Sequence, residues 1–157
     1  MVDTKQQKHR PLTTLELFVV LFIIAVLAFV VFTALNPNER MADARDAERI
    51  IEMHAVMTAI HQYTVDTGAL PEGMIAGMPE TQLGTCSTGG SQFCKGAQES
   101  CLSIDASLQP YLESMPIDPL LSSRSQGFSG YSVSVSEDQV ITVFACGAEK
   151  ADLSVSR

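Results

Sequence analysis

The chain has 157 residues, a 46% hydrophobic composition and a net charge of −8. That length allows one modest domain plus an anchor and excludes two domains of ordinary size. The acidic balance argues against general nucleic-acid binding, because phosphates repel it.

Residues 1–11 form a short polar leader in which Lys5, Lys8 and Arg10 outweigh Asp3. Residues 12–36 follow as an apolar run, Leu17-Phe18-Val19-Val20-Leu21-Phe22-Ile23-Ile24 and onward to Leu35, with Glu16 at its start. As a helix rising ~1.5 Å per residue this run crosses a bilayer core of about 30 Å. A basic flank before it and an acidic body after it place the N-terminus in the cytoplasm and export the rest. The run ends Leu35-Asn36-Pro37-Asn38 without an Ala-x-Ala-like site, so it reads as a retained anchor and not a discarded signal. An acid isolated in hydrocarbon costs on the order of 2.5–3.5 kcal/mol, which marks Glu16 as a functional candidate over the bland reading of an idle interfacial charge.

Pro37 removes a backbone donor and disfavours helix at Asn36, so a break is expected there. A second helical stretch follows over residues 37–67, the pattern itself running from Asn38 to about Val65. Ile50, Met53, Met57 and Ile60, spaced three, four and three, mark its apolar face. Arg40, Asp43, Arg45, Asp46, Glu48 and Arg49 crowd its first turns, and the Asp46–Arg49 pair is expected to add a few tenths of a kcal/mol. Gly68 and Pro71 stop the helix. His54 and His61 lie seven apart, too far for a metal pair without a third ligand.

Residues 68–157 read as an exported head. The stretch from Gly73 to Gly96 is rich in Gly, Ser and Thr and reads as loop. Cys86, Cys94, Cys101 and Cys146 all fall in this region. Four cysteines in an oxidising compartment imply two disulfides; C-x₂-C spacing for zinc is absent, and the three pairings stay open. A short helix is expected between Ser103 and Glu113, capped by Ser103 or Asp105, then a proline-fixed connector from Met115 to Pro119 and a loop from Ser122 to Gly130. Tyr131–Val135 and Val140–Phe144 are β-formers separated by a turn at Ser136–Gln139, an antiparallel hairpin that must pack on something, the amphipathic helix being the candidate. The fold class is therefore α+β: a long N-terminal helix, transmembrane in its first half and amphipathic in its second, packed against a small antiparallel sheet. No catalytic elbow or phosphate loop is present, and no cofactor or metal is expected. Asp105, Asp118, Glu137 and Asp138 lack EF-hand spacing.

The run Pro11-Leu12-Thr13-Thr14-Leu15-Glu16-Leu17-Phe18-Val19 resembles the N-terminus of type IV pilins and type II secretion pseudopilins. That family has a basic leader, a Gly at the cut, and Phe-Thr-Leu-Ile-Glu-Leu before an unbroken apolar helix. Aligned on the acid, Thr13 matches the Thr, Leu15 the Ile, and Glu16 the family glutamate. The match is specific from Leu12 to Leu35 and extends in style to Tyr63 and Pro71. The resemblance implies a pilin-like fold and cleavage of the leader between Pro11 and Leu12. It also implies methylation of the Leu12 amine and pairing of that amine with Glu16 of a neighbour. Pro11 departs from the family's Gly, and its missing N–H and fixed φ leave cleavage there open. The implied function is a structural subunit of a type IV pilus or related filament, serving adhesion, motility or DNA uptake, first in the cytoplasmic membrane and then in an extracellular pilus. The implied partners are other subunits, a prepilin peptidase, an inner-membrane assembly platform and, before assembly, membrane lipid; DNA is left open without a positive sign. Alternatives are a type II secretion pseudopilin or minor pilin, some of which bind calcium in the head, and, from another class, a single-pass membrane-anchored binding or sensor protein.

Overall fold

A computed structural model describes residues 13–121 and 127–157. The chain divides into two compact units, Met1–Arg40 and Met41–Arg157.

In the first unit, helix α1 spans Thr14–Leu35. Its 22 residues give a length of about 33 Å. It is apolar all round, as a helix is when no side of it is meant for water. Among the described side chains every large one from Leu15 to Phe32 is exposed. The helix ends at Asn36, which adopts the left-handed conformation (φ 38°, ψ 66°). Helix α2, Pro37–Thr67, starts on the next residue. Pro37 stands at the first helical position, where its missing N–H costs nothing, and Glu39 and Arg40 donate their N–H groups to the Asn36 carbonyl. The expected break is therefore present, confined to one residue.

In the second unit α2 runs to a glycine stop: Gly68 takes φ 73° and its N–H closes on the Thr64 carbonyl at 2.9 Å. The sheet has four antiparallel strands in the order β1-β2-β3-β4: Thr81–Gly84, Phe128–Val135, Ile141–Ala145 and Leu153–Ser156. The expected hairpin is β2–β3, with Tyr131 opposite Ala145 and Val135 opposite Ile141. Its turn is tied by Ser136, whose backbone and hydroxyl both engage Val140.

Two strands depart from the sequence reading. β1 lies inside the stretch read as loop, and β4 was not anticipated. Short helices α3 (Gly90–Phe93) and α4 (Asp105–Leu108) sit in the connection between β1 and β2. The helix expected between Ser103 and Glu113 thus shrinks to a single turn, and neither Ser103 nor Asp105 caps it: Ile104 occupies the cap position without a side-chain bond.

Met53, Val56, Met57 and Ile60 of α2 form one core with Leu83, Tyr131, Val133, Val135 and Val143 of the sheet, closed by Met74, Ile104 and Leu108. Ile50, expected on this face, is 40% exposed. Arg49 holds the buried position instead, because 46, 49, 53, 56 and 60 share a helix face and 50 lies a further 100° round. The fold is α+β, a long apolar N-terminal helix with a small antiparallel sheet.

Two disulfides cross-link the head, Cys86–Cys101 and Cys94–Cys146. The two bridges interleave along the chain. Their closed loops of 15 and 52 residues correspond to about 3 and 4 kcal/mol of unfolded-chain entropy removed.

Candidate functional site

In the first unit the site is the start of α1. Thr13 is the N-cap, extended at φ −72° and ψ 152°. The Glu16 N–H donates to Thr13 Oγ1 at 3.3 Å, while Thr13 donates its N–H (2.8 Å) and its hydroxyl (3.0 Å) to Glu16 Oε2. This is a capping box, and it satisfies backbone groups that a helix start leaves without partners. The Thr-x-x-Glu pattern preceding an apolar run was there to be read. Glu16 is therefore held by its own helix. Pro11 and Leu12 lie outside the described residues.

The chemistry of α1 is that of unpaired apolar surface. Fifteen large apolar side chains between Leu15 and Phe32 face outward. At roughly 1.5–3 kcal/mol for each side chain fully withdrawn from water, covering them is worth on the order of 20 kcal/mol or more. Lipid hydrocarbon or other helices can cover such a surface. By length and composition α1 can cross a membrane.

In the second unit a buried ionic cluster fixes the first turns of α2 to two loops. Arg49 is fully buried and donates from Nε to Asp118 Oδ2 (2.7 Å), from Nη2 to Asp118 Oδ1 (3.0 Å) and from Nη1 to Asp46 Oδ1 (2.7 Å). Asp118, also fully buried, accepts the Leu120 N–H at 2.8 Å. Asp46 accepts the N–H groups of Glu149 (3.1 Å) and Lys150 (3.2 Å). Arg45 forks onto Glu149, and Lys150 pairs with Asp43. Beside the cluster, the buried Tyr131 donates its hydroxyl to Glu52. The expectation that Asp46 and Arg49 form a minor i, i+3 pair is corrected here: the helix face that carries Met53 and Ile60 also carries Asp46 and Arg49, and both are buried.

The electrostatics follow from burial and partners. Burial pushes Asp46 up, but the Glu149 N–H, the Arg49 guanidinium and the Lys150 N–H outweigh it and hold the carboxyl below its usual range. Asp118 and Asp46 together hold Arg49 charged against the cost of burial. Glu52 moves the other way: burial raises it, and the Tyr131 hydrogen bond only partly offsets that. Tyr131 is raised by burial and by its bond to Glu52. A buried ion pair contributes register more surely than net stability. Here the register is that of α2 against residues 118–120 and 146–150.

The remaining candidates are dispersed. His54 is exposed; His61 is half-buried, and its Nε2 is enclosed without a hydrogen-bond partner. Among the described residues no group of three or more His, Cys, Asp or Glu is placed to hold a metal. Of the carboxylates weighed as calcium ligands, Asp118 is committed to Arg49. Comparison with family models, curated proteins and solved structures returns no match.

Proposed function

We propose that the chain is a structural subunit of a type IV pilus or related filament, or of the pseudopilin and minor-pilin group that shares this N-terminus. The observation that carries the reading is α1 itself, about 33 Å of outward-facing apolar side chain headed by a single acid. In a membrane, lipid covers that surface; in a fibre, copies of α1 cover one another. Glu16 then lies among apolar helices, and a cation on the adjoining copy offsets the burial and sets axial register. The disulfide-braced head faces outward. Adhesion, motility and DNA uptake are the uses such a fibre serves.

A second reading has an observation of its own. The Thr13–Glu16 capping box gives the acid a task within one helix, which suits a single-pass anchor for a binding or sensor domain. Expression with the native assembly machinery separates the two. Under the filament reading Glu16→Ala abolishes surface fibres while Thr13→Ala, which costs a cap of about 0.5–2 kcal/mol, leaves a measurable yield. No surface fibre in the parent, with equal and small effects of both substitutions on the amount of chain held in the membrane, favours the anchor.

A further inference from the structure

Cys94 is 1% exposed, whereas Cys86, Cys101 and Cys146 are all partly exposed. The Cys86–Cys101 bridge also holds a specific piece of chain. Cys101 donates its N–H to the Cys86 carbonyl at 2.9 Å. The next residue, Leu102, lies parallel to β1 as an isolated bridge opposite Leu83. Its N–H donates to the Gln82 carbonyl (2.8 Å) and its carbonyl accepts the Gly84 N–H (2.9 Å). A little earlier in the same connection, Gln98 donates to the Glu80 carbonyl at 2.9 Å. These bonds fall on the side of β1 away from β2, which is a free edge of the sheet by strand order.

An open strand edge is a template for pairing with another chain, and proteins cover or blunt such edges. β1 is poorly defended by its own sequence. Thr81-Gln82-Leu83-Gly84 carries no charge and no proline. One added residue pair is also too short to hold itself in place by hydrogen bonds alone. Leu102 has a second anchor, since its side chain packs against the core and closely against Gly73.

We propose that the Cys86–Cys101 disulfide is a staple whose task is to hold the 101–102 segment as a strap over the β1 edge, so that heads brought close together do not join strand to strand. Cys94–Cys146, which closes the longer loop, serves the global stability of the head. The strap stands apart from the function proposed for α1, since it concerns the second unit alone.

The test uses the full chain in lipid nanodiscs loaded at one copy per disc, with amide hydrogen exchange as the readout. In the double variant Cys86→Ser/Cys101→Ser, exchange at Gly84 and Leu102 rises by roughly a hundredfold, the size of the 15-residue closure term. Amides of β2 from Tyr131 to Val135 keep their protection relative to Gly84, and discs associate in pairs through the heads. In Cys94→Ser/Cys146→Ser, exchange rises across β2 and Gly84 alike. Leu102→Pro supplies an independent arm: both disulfides stay, the N–H to Gln82 is lost, and Gly84 exchange again rises selectively. Should the first double variant leave β2 unprotected, the Leu102→Pro chain decides alone. The proposal is overturned if Gly84 exchange stays within a few-fold of the parent. It is equally overturned if the rise at Gly84 in Leu102→Pro merely matches that at β2, or if discs stay single with the edge open.

Discussion

Replacing Asp118 by Asn tests whether the ionic cluster is a buried structural pair or a decorated surface. The substitution keeps the shape but removes the charge opposite Arg49 Nε and Nη2, at 2.7 and 3.0 Å. Both side chains are fully buried, so water cannot enter to replace the lost partner. Arg49 would retain only Asp46, and an amide N–H₂ would face the guanidinium. Breaking a buried pair from one side costs about 3–5 kcal/mol. For a unit of this size that is a fall of roughly 10–20 °C in Tm. The assay is thermal unfolding of the full chain in detergent with disulfides intact, followed by near-ultraviolet circular dichroism of its tyrosines, since the chain has no tryptophan. Adding Arg49→Met to Asp118→Asn should restore at least half of the loss, because the stranded charge is then gone. A drop of less than about 1 kcal/mol for the single variant, in line with an exposed pair, would refute the reasoning. So would a double variant worse than the single.

Further outcomes follow from neighbouring groups. Gly147→Ala places a Cβ on the Asp118 carboxylate and should cost about 1–3 kcal/mol by overpacking, read in the same melt. Cys94→Ser/Cys146→Ser should lose about 4 kcal/mol in urea unfolding, from the 52-residue loop. Asp46 has a folded pKa held below its unfolded value of about 3.9, so its contribution is present above that pH and disappears as pH falls through the folded value. Asp46→Asn should therefore destabilise at pH 7, with the gap to the parent closing below about pH 4. Glu52 has the opposite sign: its folded pKa is raised, so its ionised form weighs against the fold above that value and the penalty vanishes below the unfolded value of about 4.3. Glu52→Gln should raise Tm at pH 7 and make no difference at pH 3; a lowered Tm at pH 7 would show that the Tyr131 bond outweighs burial.

The parts of this structure that sequence makes legible are those governed by local pattern. α1 is unbroken apolar sequence from Leu17 to Phe32, and no other element fits such a run. The break at Asn36 and the stop at Gly68 follow from proline and glycine geometry. The hairpin is visible because Tyr131–Val135 and Ile141–Ala145 are dense in β-formers either side of a short turn. β1 was hidden because Thr81-Gln82-Leu83-Gly84 is four residues long and becomes a strand only by pairing with Ser132 and Val133, about fifty residues away. β4 left a trace in the alternation Leu153-Ser154-Val155-Ser156, half-buried and exposed in turn. The charged cluster was misjudged because Asp46 and Arg49 look like an ordinary surface pair. Their burial depends on Asp118 and the 146–150 loop, which no local window connects to them. The phase of the helix was nonetheless available: 46, 49, 53, 56 and 60 form a cleaner stripe than one that includes Ile50.

The claim that rests most on α1 is that copies of this chain stack through it. The direct measurement is to shear surface material from cells expressing the chain with its native machinery and to determine its intact mass and particle length. The account predicts fibres many subunits long, built from a chain carrying two disulfides. Recovery of the chain solely from the membrane fraction, as single copies and with no fibre in the sheared material, would contradict it.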